Sequence, residues 1–236
     1  EYEDAYKKEY VDAKFKFTIY PYLTNSGMAA FTTILNFLLG ESKIYGKVFV
    51  GKSSYFQYKL LLKKTLMSQL IEVDENNTEE IINEIDTYNP SVIFLDSLCN
   101  SPDVAVPDLP KIISHLIKRV KNDTYLVLDT TCTPLSFQPW NWVFGKNRKI
   151  HLMTFESLNK YHQFGMDRVT AGMITVLGTD LGGLYYYRED CGTIISDASV
   201  HALPFPNKKI LQKRISRLKR NAILLSSYLE SNLSAI

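Results

Sequence analysis

Short apolar runs alternate along the chain with longer segments in which apolar residues recur every three or four positions. The short runs are Val48–Val50, Leu70–Val73, Val92–Asp96, Tyr125–Asp129, His151–Phe155 and Met173–Leu177. Apolar runs of this length between polar turns predict buried strands. Helical patterns occupy Gly27–Leu39, the segment from Thr78 onward, Pro107–Val120 and the stripe from Leu211 to Leu229.

This alternation favours an α/β fold with a mostly parallel sheet that has helices on both faces, a three-layer arrangement. Sheets of this kind bind ligands at the carboxyl ends of their strands. Residues 1–24 are rich in Tyr and in both charges, and we interpret them as a helical or connecting segment. Residues 25–236 are then predicted to form one ligand-binding domain.

Composition excludes several classes of partner. The 27 Lys and Arg residues nearly balance the 25 Asp and Glu residues, so we expect neither nucleic acid nor an anionic membrane as partner. No apolar run is long enough to cross a bilayer. The three cysteines, Cys99, Cys132 and Cys191, have no paired spacing, so we expect no metal site and no disulfide framework. A cytoplasmic location fits this pattern.

One motif competes with the main interpretation. Gly46–Ser53 matches the phosphate-loop pattern GxxxxGK[ST] in every position. However, the predicted strand Val48–Val50 lies where that motif needs an adaptable loop, and the preceding residues are too polar for a central strand. A nucleotide-binding protein therefore remains only a remote alternative.

Four separate segments supply groups that together suit one cofactor. Ser26-Gly27-Met28 opens an apolar helix, whose first amides can bind an anion. Tyr55 follows a strand and can stack on a planar ring, and Asp129 ends a strand where a carboxylate needs a cationic partner. Lys160 also follows a strand, where shielding from water would lower its pKa and free its amine to attack a carbonyl.

Each of these residues alone has an ordinary interpretation: a helix cap, a packed ring, a turn carboxylate and a surface lysine. Together they suit pyridoxal phosphate. Its phosphate would lie at the helix N-terminus, its ring nitrogen against the carboxylate, and its aldehyde on the lysine.

The residues of these segments, and their order along the chain, resemble those of a known family. Ser26–Ala30, Val127–Thr131, Ser157–Tyr161 and Asp167–Gly172 are similar to the Cys/Met-metabolism family of pyridoxal-phosphate enzymes, which includes cystathionine γ-synthase and its lyase relatives. The stretch from Lys160 to Asp167 looks most like the fungal cystathionine γ-synthase branch. The resemblance implies the large domain of the type I fold of pyridoxal-phosphate-dependent transferases.

The resemblance also implies roles for individual residues. Lys160 and Tyr55 would be catalytic. The residues that would contact the cofactor are Ser26, Gly27, Met28, Tyr55, Asn100, Asp129, Thr131, Ser157, Asn159 and Lys160. The chain departs from the family at Asn159, where a threonine is usual, and at Phe56-Gln57, where glycines are usual.

The implied activity is a γ-replacement that joins cysteine to an O-acylated homoserine. A cystathionine β- or γ-lyase, a homoserine sulfhydrylase, and a non-catalytic partner or scaffold stay open as alternatives. The resemblance also implies small amino-acid substrates and a homodimer or homotetramer. The family's Tyr-x-Arg segment has no match before Asn25, and its C-terminal small domain is not found, so we expect this chain to be part of a longer protein.

Overall fold

A computed structural model describes residues 1–178 and 181–233 of the chain. In these residues the strands are β1 Ile19–Thr24, β2 Val48–Gly51, β3 Leu70–Val73, β4 Val92–Asp96, β5 Thr124–Asp129, β6 Ile150–Ser157 and β7 Gly172–Leu177. They form one sheet of seven strands in the order β1-β7-β6-β5-β4-β2-β3. All six predicted strands are present, and their bounds differ from the predicted ones by at most two residues.

The sheet is mostly parallel, as predicted. Strands β3, β2, β4, β5 and β6 are parallel, and β7 alone runs antiparallel to its two neighbours, β6 and β1. The carboxyl ends of β1, β2, β4, β5 and β6 therefore lie at the same edge of the sheet.

Helices cover both faces of this sheet. They are α1 Tyr2–Tyr10, α2 Gly27–Gly40, α3 Phe56–Leu66, α4 Thr78–Tyr88, α5 Leu109–Arg119, α6 Trp140–Val143, α7 Leu184–Asp190, α8 Asp197–Ala202 and α9 Lys208–Asn232, with single 3-10 turns at Lys16–Thr18 and Met67–Gln69. One apolar cluster joins α2, α3 and α7 to the sheet, and a second joins α1, α4, α5 and α6 to the opposite face. The predicted three-layer α/β fold is confirmed. Among the described helices, none is long and apolar enough to cross a membrane.

The N-terminal segment contains an element that the apolar pattern did not indicate. Residues 1–24 include α1, as expected of a helical segment, but also strand β1, which pairs with β7. Pro21 interrupts the apolar run, and a proline is tolerated here because β1 is an edge strand. Arg188 fixes this edge, donating to the Leu23 carbonyl at 3.0 Å and pairing with Glu3.

The last helix forms as predicted, but its apolar stripe is not buried. Leu211 is fully buried, whereas Leu218, Leu225 and Leu229 are 39%, 58% and 41% exposed. The described residues place nothing over this part of α9, so this part of the apolar stripe faces solvent.

The phosphate-loop match has no structural counterpart. Val48–Gly51 is the buried strand β2, so its backbone amides serve the sheet and cannot surround a phosphate. Lys52 lies 3.7 Å from Glu80 in an ion pair at the surface.

Candidate functional site

The predicted site residues converge on one pocket at the carboxyl edge of the sheet. Its volume is about 390 Å³. The pocket is lined by Ser26, Gly27, Met28, Tyr55, Asn100, Asp129, Thr131, Cys132, Phe155, Ser157, Asn159, Lys160 and Thr170. All ten predicted residues are in this lining, and Cys132, Phe155 and Thr170 are lining residues that the sequence analysis did not select.

The start of α2 forms one wall of the pocket. Ser26 is the N-cap, and its hydroxyl oxygen accepts a hydrogen bond from the Ala29 amide at 3.0 Å. The amides of Gly27 and Met28 belong to the first turn, where no carbonyl of the same helix can reach them. A Cβ at position 27 would lie 2.9 Å from the Ser157 Cβ, so glycine allows α2 to approach the end of β6. Two amides and the Ser157 hydroxyl thus meet at a site suited to an anion.

Strand ends β5 and β6 are joined at the base of the pocket. Thr131 donates its backbone amide to Asp129 Oδ1 at 2.8 Å, and its hydroxyl oxygen accepts from the Ser157 amide at 2.9 Å. These two bonds fix the carboxylate of Asp129 relative to Ser157.

Asp129 has the electrostatic character expected of a carboxylate waiting for a cation. Burial raises the pKa of Asp129 to about 6, an effect that Thr131 opposes by donating hydrogen bonds and that the negative charge of Glu156 increases. Within the described part of the chain, no lysine or arginine pairs with Asp129. A protonated ring nitrogen would supply the missing positive charge.

Asp96 does not line the pocket but holds two residues that do, a role that was not predicted from the sequence. It ends β4 directly beside Asp129 on β5 and is 2% exposed. Its carboxylate accepts from the Tyr55 amide and the Asn100 side-chain amide, each at 2.9 Å, and from the Tyr58 hydroxyl. Burial, and then the charge of Asp129, raise the pKa of Asp96 to about 7. The available signal was a second carboxylate at the end of a neighbouring strand.

Asp96 therefore places two of the predicted residues. Tyr55 precedes α3, and its hydroxyl donates to Gln57 at 2.7 Å, so both its backbone and its ring edge are held. Asn100 has its amide nitrogen on Asp96, which leaves its oxygen free of that bond. The buried carboxylate of Asp96 thus holds the Tyr55 backbone and the Asn100 side chain at the pocket.

The turn after β6 carries Lys160. Asn159 occupies the position where the related family has a threonine, and its Oδ1 accepts from the Ala171 amide at 3.1 Å. Leu158 donates its amide to the Ala171 carbonyl at 2.9 Å. The turn is thereby attached to the segment that leads into β7. Lys160 itself is exposed, so the described residues do not provide the shielding from water that we expected.

These features fit pyridoxal phosphate. The pocket combines an anion site at a helix start, a glycine that keeps the approach open, an aspartate with no cationic partner among the described residues, an aromatic ring and an exposed lysine. Each matches one part of the cofactor: the phosphate, the ring nitrogen, the ring face and the aldehyde.

Known proteins share this fold. A cystathionine gamma synthase from Xanthomonas oryzae pv. oryzae superposes with a TM-score of 0.66 and 19% sequence identity, covering 89% of this chain and 51% of that one. A cystathionine gamma lyase (CalE6) from Micromonospora echinospora superposes with a TM-score of 0.58 and 17% identity, covering 83% and 46%.

A curated relative extends the comparison to sequence. The bifunctional enzyme flvA of Aspergillus flavus is 25% identical over 211 residues, which are 89% of this chain and 25% of the relative. The chain thus spans about half the length of the solved structures and a quarter of the curated relative.

The family match covers nearly all of the chain. Residues 13–235 match the family described as Cys/Met metabolism PLP-dependent enzyme. The matched range includes both sides of the pocket, from the start of α2 to the turn of Lys160. The chain therefore belongs to the Cys/Met metabolism family of pyridoxal-phosphate-dependent enzymes.

Proposed function

We propose that this chain is the cofactor-binding domain of a pyridoxal-phosphate-dependent enzyme of sulfur amino-acid metabolism. The observation that carries the proposal is the meeting of the ten predicted residues, from separate segments, in one pocket that fits the cofactor. The activity we favour is a γ-replacement, in which the sulfur of cysteine bonds to the γ-carbon of an O-acylated homoserine and the acyl group leaves as a carboxylate.

Each residue has a defined task in this proposal. The amides of Gly27 and Met28 and the hydroxyls of Ser26 and Ser157 bind the phosphate. Asp129 keeps the ring nitrogen protonated, and when bound the protonated cofactor withdraws electrons from the α-carbon of the substrate.

Five further residues complete the assignment. Tyr55 stacks on the ring of the cofactor, Asn100 lies near the ring hydroxyl, and Thr131 holds Asp129. Asn159 takes the place of the usual threonine beside the phosphate. Lys160 carries the aldehyde, and its released Nζ takes the α-proton of the substrate.

The alternatives within the family differ in the bond that is broken. A cystathionine lyase cleaves a carbon–sulfur bond, and a homoserine sulfhydrylase uses inorganic sulfide in place of cysteine. Similarity in fold to both a synthase and a lyase supports the reaction class and leaves this choice to experiment. We further expect a cytoplasmic homodimer or homotetramer that acts on small amino acids.

A pair of lysine variants tests the proposal in the full-length protein. The purified enzyme should show a visible absorption band from the cofactor on Lys160, and Lys160→Ala should remove it. Lys52→Ala is the matched control, since Lys52 lies in the phosphate-loop-like segment and pairs with Glu80 at the surface. The band should persist in Lys52→Ala.

Turnover separates the enzyme from a non-catalytic relative. Acylated homoserine plus cysteine should give cystathionine in the wild type and none in Lys160→Ala. An absorption band without turnover on any sulfur amino acid would favour a non-catalytic partner or scaffold. The departures from the family at Asn159 and Phe56-Gln57 are the reason to test this alternative. Nucleotide binding that Lys52→Ala abolishes would reverse the assignment altogether.

A further inference from the structure

The turn that carries Ser157 and Lys160 is held on its pocket side by the segment that follows it. Gln163 makes two hydrogen bonds with the backbone of Val169, at 2.6 and 3.2 Å, in addition to the bonds between Ala171 and the turn. These contacts fix the turn on its pocket side. On the opposite side, the residues that flank the turn pack toward helix α1.

Glu156 is a residue of β6 that points away from the pocket. Successive residues of a strand face opposite sides of the sheet, so Phe155 and Ser157 line the pocket while Glu156 faces the layer of α1. Glu156 is 3% exposed. A carboxylate this deep needs partners on both oxygens to offset its lost hydration.

Both oxygens of Glu156 have a partner. Tyr6 of α1 donates its hydroxyl to Oε1, and the ring of His162 lies with Nε2 3.1 Å from Oε2. Tyr6 is 8% and His162 2% exposed. Glu156 and His162 therefore bracket the turn 157–161 at its two ends, and Tyr6 joins this bracket to the N-terminal helix.

His162 depends on this bracket for its position. Its second ring nitrogen, Nδ1, has no hydrogen-bond partner within the described residues, and a cavity of about 20 Å³ lies beside it. Its other close neighbours are the rings of Tyr10 and Tyr6, whose centres lie 4.9 and 5.9 Å from its own. The hydrogen bond to Glu156 is thus the only directional contact of the His162 side chain that the described part of the chain provides.

We propose that Tyr6, Glu156 and His162 are positioning residues, through which helix α1 fixes the turn that presents Ser157 and Lys160 to the pocket. They touch neither the pocket nor its contents and act through the backbone on either side of the turn. The inference rests on the proposed function only in taking pyridoxal phosphate as the ligand of Ser157 and Lys160. The mechanical link between α1 and the turn stands on the contacts alone.

Hydrogen exchange on the cofactor-free, full-length protein tests the link. Tyr6→Phe keeps the ring and removes one hydrogen bond to a buried carboxylate, so the amides of 157–163 should exchange about tenfold faster. Amides of β5 should keep their rates, which separates a local loosening from a global loss of stability.

Tyr10→Phe is the matched control. Tyr10 lies on the same helix and is 4% exposed, but its hydroxyl accepts from the Asn207 amide at 2.8 Å instead of binding Glu156. Removing it should leave exchange in the turn unchanged. Equal effects of the two substitutions on the turn, or none from Tyr6→Phe, would overturn the proposal.

A spectroscopic measurement with the cofactor distinguishes positioning from mere packing. The visible circular dichroism of bound pyridoxal phosphate reports how its ring is held, and it should fall in Tyr6→Phe and persist in Tyr10→Phe. Should Tyr6→Phe not fold, Glu156→Gln weakens the same contacts without removing a side chain and should also speed exchange in the turn. Wild-type rates in a folded Glu156→Gln would contradict the proposal.

The two proposals can fail separately. If the cofactor does not bind but Tyr6→Phe still loosens the turn, the proposed function is wrong and the positioning role holds. If the cofactor binds at Lys160 and Tyr6→Phe changes neither exchange nor dichroism, the positioning role is wrong.

Discussion

Two carboxylates at neighbouring strand ends dominate the chemistry of individual residues in this chain. Asp129 faces the pocket and has no lysine or arginine partner among the described residues, and Asp96 on the neighbouring strand holds Tyr55 and Asn100. The roles differ although the residue type and the position on the strand are the same. The difference lies in the partners: one carboxylate has three donors from the protein, and the other has a ligand-facing side left for a positive charge.

Replacing Asp129 tests its predicted charge pairing with the cofactor. Asp129→Asn keeps the shape of the side chain but leaves the ring nitrogen without its anionic partner, so cofactor affinity should fall by about 30-fold or more. Titration of the cofactor-free protein with pyridoxal phosphate, followed by absorbance, measures this. Asp103→Asn, at an exposed aspartate, is the control. Equal affinity of Asp129→Asn and Asp103→Asn would exclude the pairing.

The same carboxylates predict how pH affects the cofactor-free protein. Their pKa values, about 6 for Asp129 and about 7 for Asp96, lie above the ordinary value of 3.8, so the folded chain binds protons more tightly than the unfolded chain. The resulting stabilisation is complete below about pH 4 and is lost as the pH rises through about 6 to 7.

Urea unfolding at a series of pH values measures this effect. The free energy of unfolding should fall as the pH rises from about 5 to about 8, and Asp96→Asn should flatten the slope. Asp103→Asn should keep the wild-type slope. A slope that is unchanged in Asp96→Asn would show that these carboxylates do not bind the extra protons.

The positions of single residues could be predicted from the sequence better than their exposure, as Lys160 shows. The ten predicted residues line one pocket. The apolar pattern indicated Ser26–Met28, Tyr55, Asp129 and Lys160, whereas the family resemblance implied Asn100, Thr131, Ser157 and Asn159. The sequence did not predict that Lys160 is exposed, since shielding depends on what packs over the turn. It also missed Asp96, whose importance comes from the register of β4 against β5 and not from its own neighbours in sequence.

At the level of elements, the approach of α2 to β6 forms the anion site. The contact is close because position 27 lacks a side chain. Gly27→Ala should push the helix start away from Ser157 and weaken the affinity for pyridoxal phosphate about tenfold, through loss of one hydrogen bond to a charged group.

Gly46→Ala is the matched control for this substitution. A Cβ at position 46 meets nothing within 4 Å, so the cofactor should bind Gly46→Ala as it binds the wild type. Titration of each variant with the cofactor gives the comparison. Wild-type affinity in Gly27→Ala would mean that the phosphate does not use this helix start.

Helix α9 supplies a second prediction at this scale. Leu211 is fully buried, whereas Leu225 is 58% exposed on the same helix. Leu211→Ala should lower the free energy of unfolding of this chain by about 2–5 kcal/mol, and Leu225→Ala should change it by less than about 0.5 kcal/mol. Chemical denaturation of the 236-residue chain measures both. A comparable loss in Leu225→Ala would show that the stripe is covered.

An uninterrupted apolar run distinguishes the strands that were predicted from the elements that were missed. Strands β2, β4, β5, β6 and β7 were predictable because they are almost wholly buried and read as continuous apolar runs. Strand β3 is a half-buried edge strand, but its run Leu70–Val73 is also mostly apolar. Strand β1 was missed because Pro21 interrupts its apolar run. Helix α3 was missed because it has several polar residues and buries only Tyr58, Leu62 and Leu66. Elements without an uninterrupted apolar run depend on tertiary contacts that a local pattern does not contain.

At the scale of the whole molecule, the layers have different tasks. The face with α2 and α3 forms the walls of the pocket, and the face with α1 holds the turn of Lys160 from behind. The sheet between them brings the strand ends to one edge. The family match, from residue 13 to residue 235, covers the sheet and the pocket and begins after α1.

The most direct test of the account is the identity of the residue that bonds to the cofactor. Borohydride reduction of the full-length protein with pyridoxal phosphate, followed by peptide mass spectrometry, locates the pyridoxyl group. We predict that it lies on Lys160 and disappears in Lys160→Ala. A pyridoxyl group on another lysine, or none on the wild type, would contradict the account.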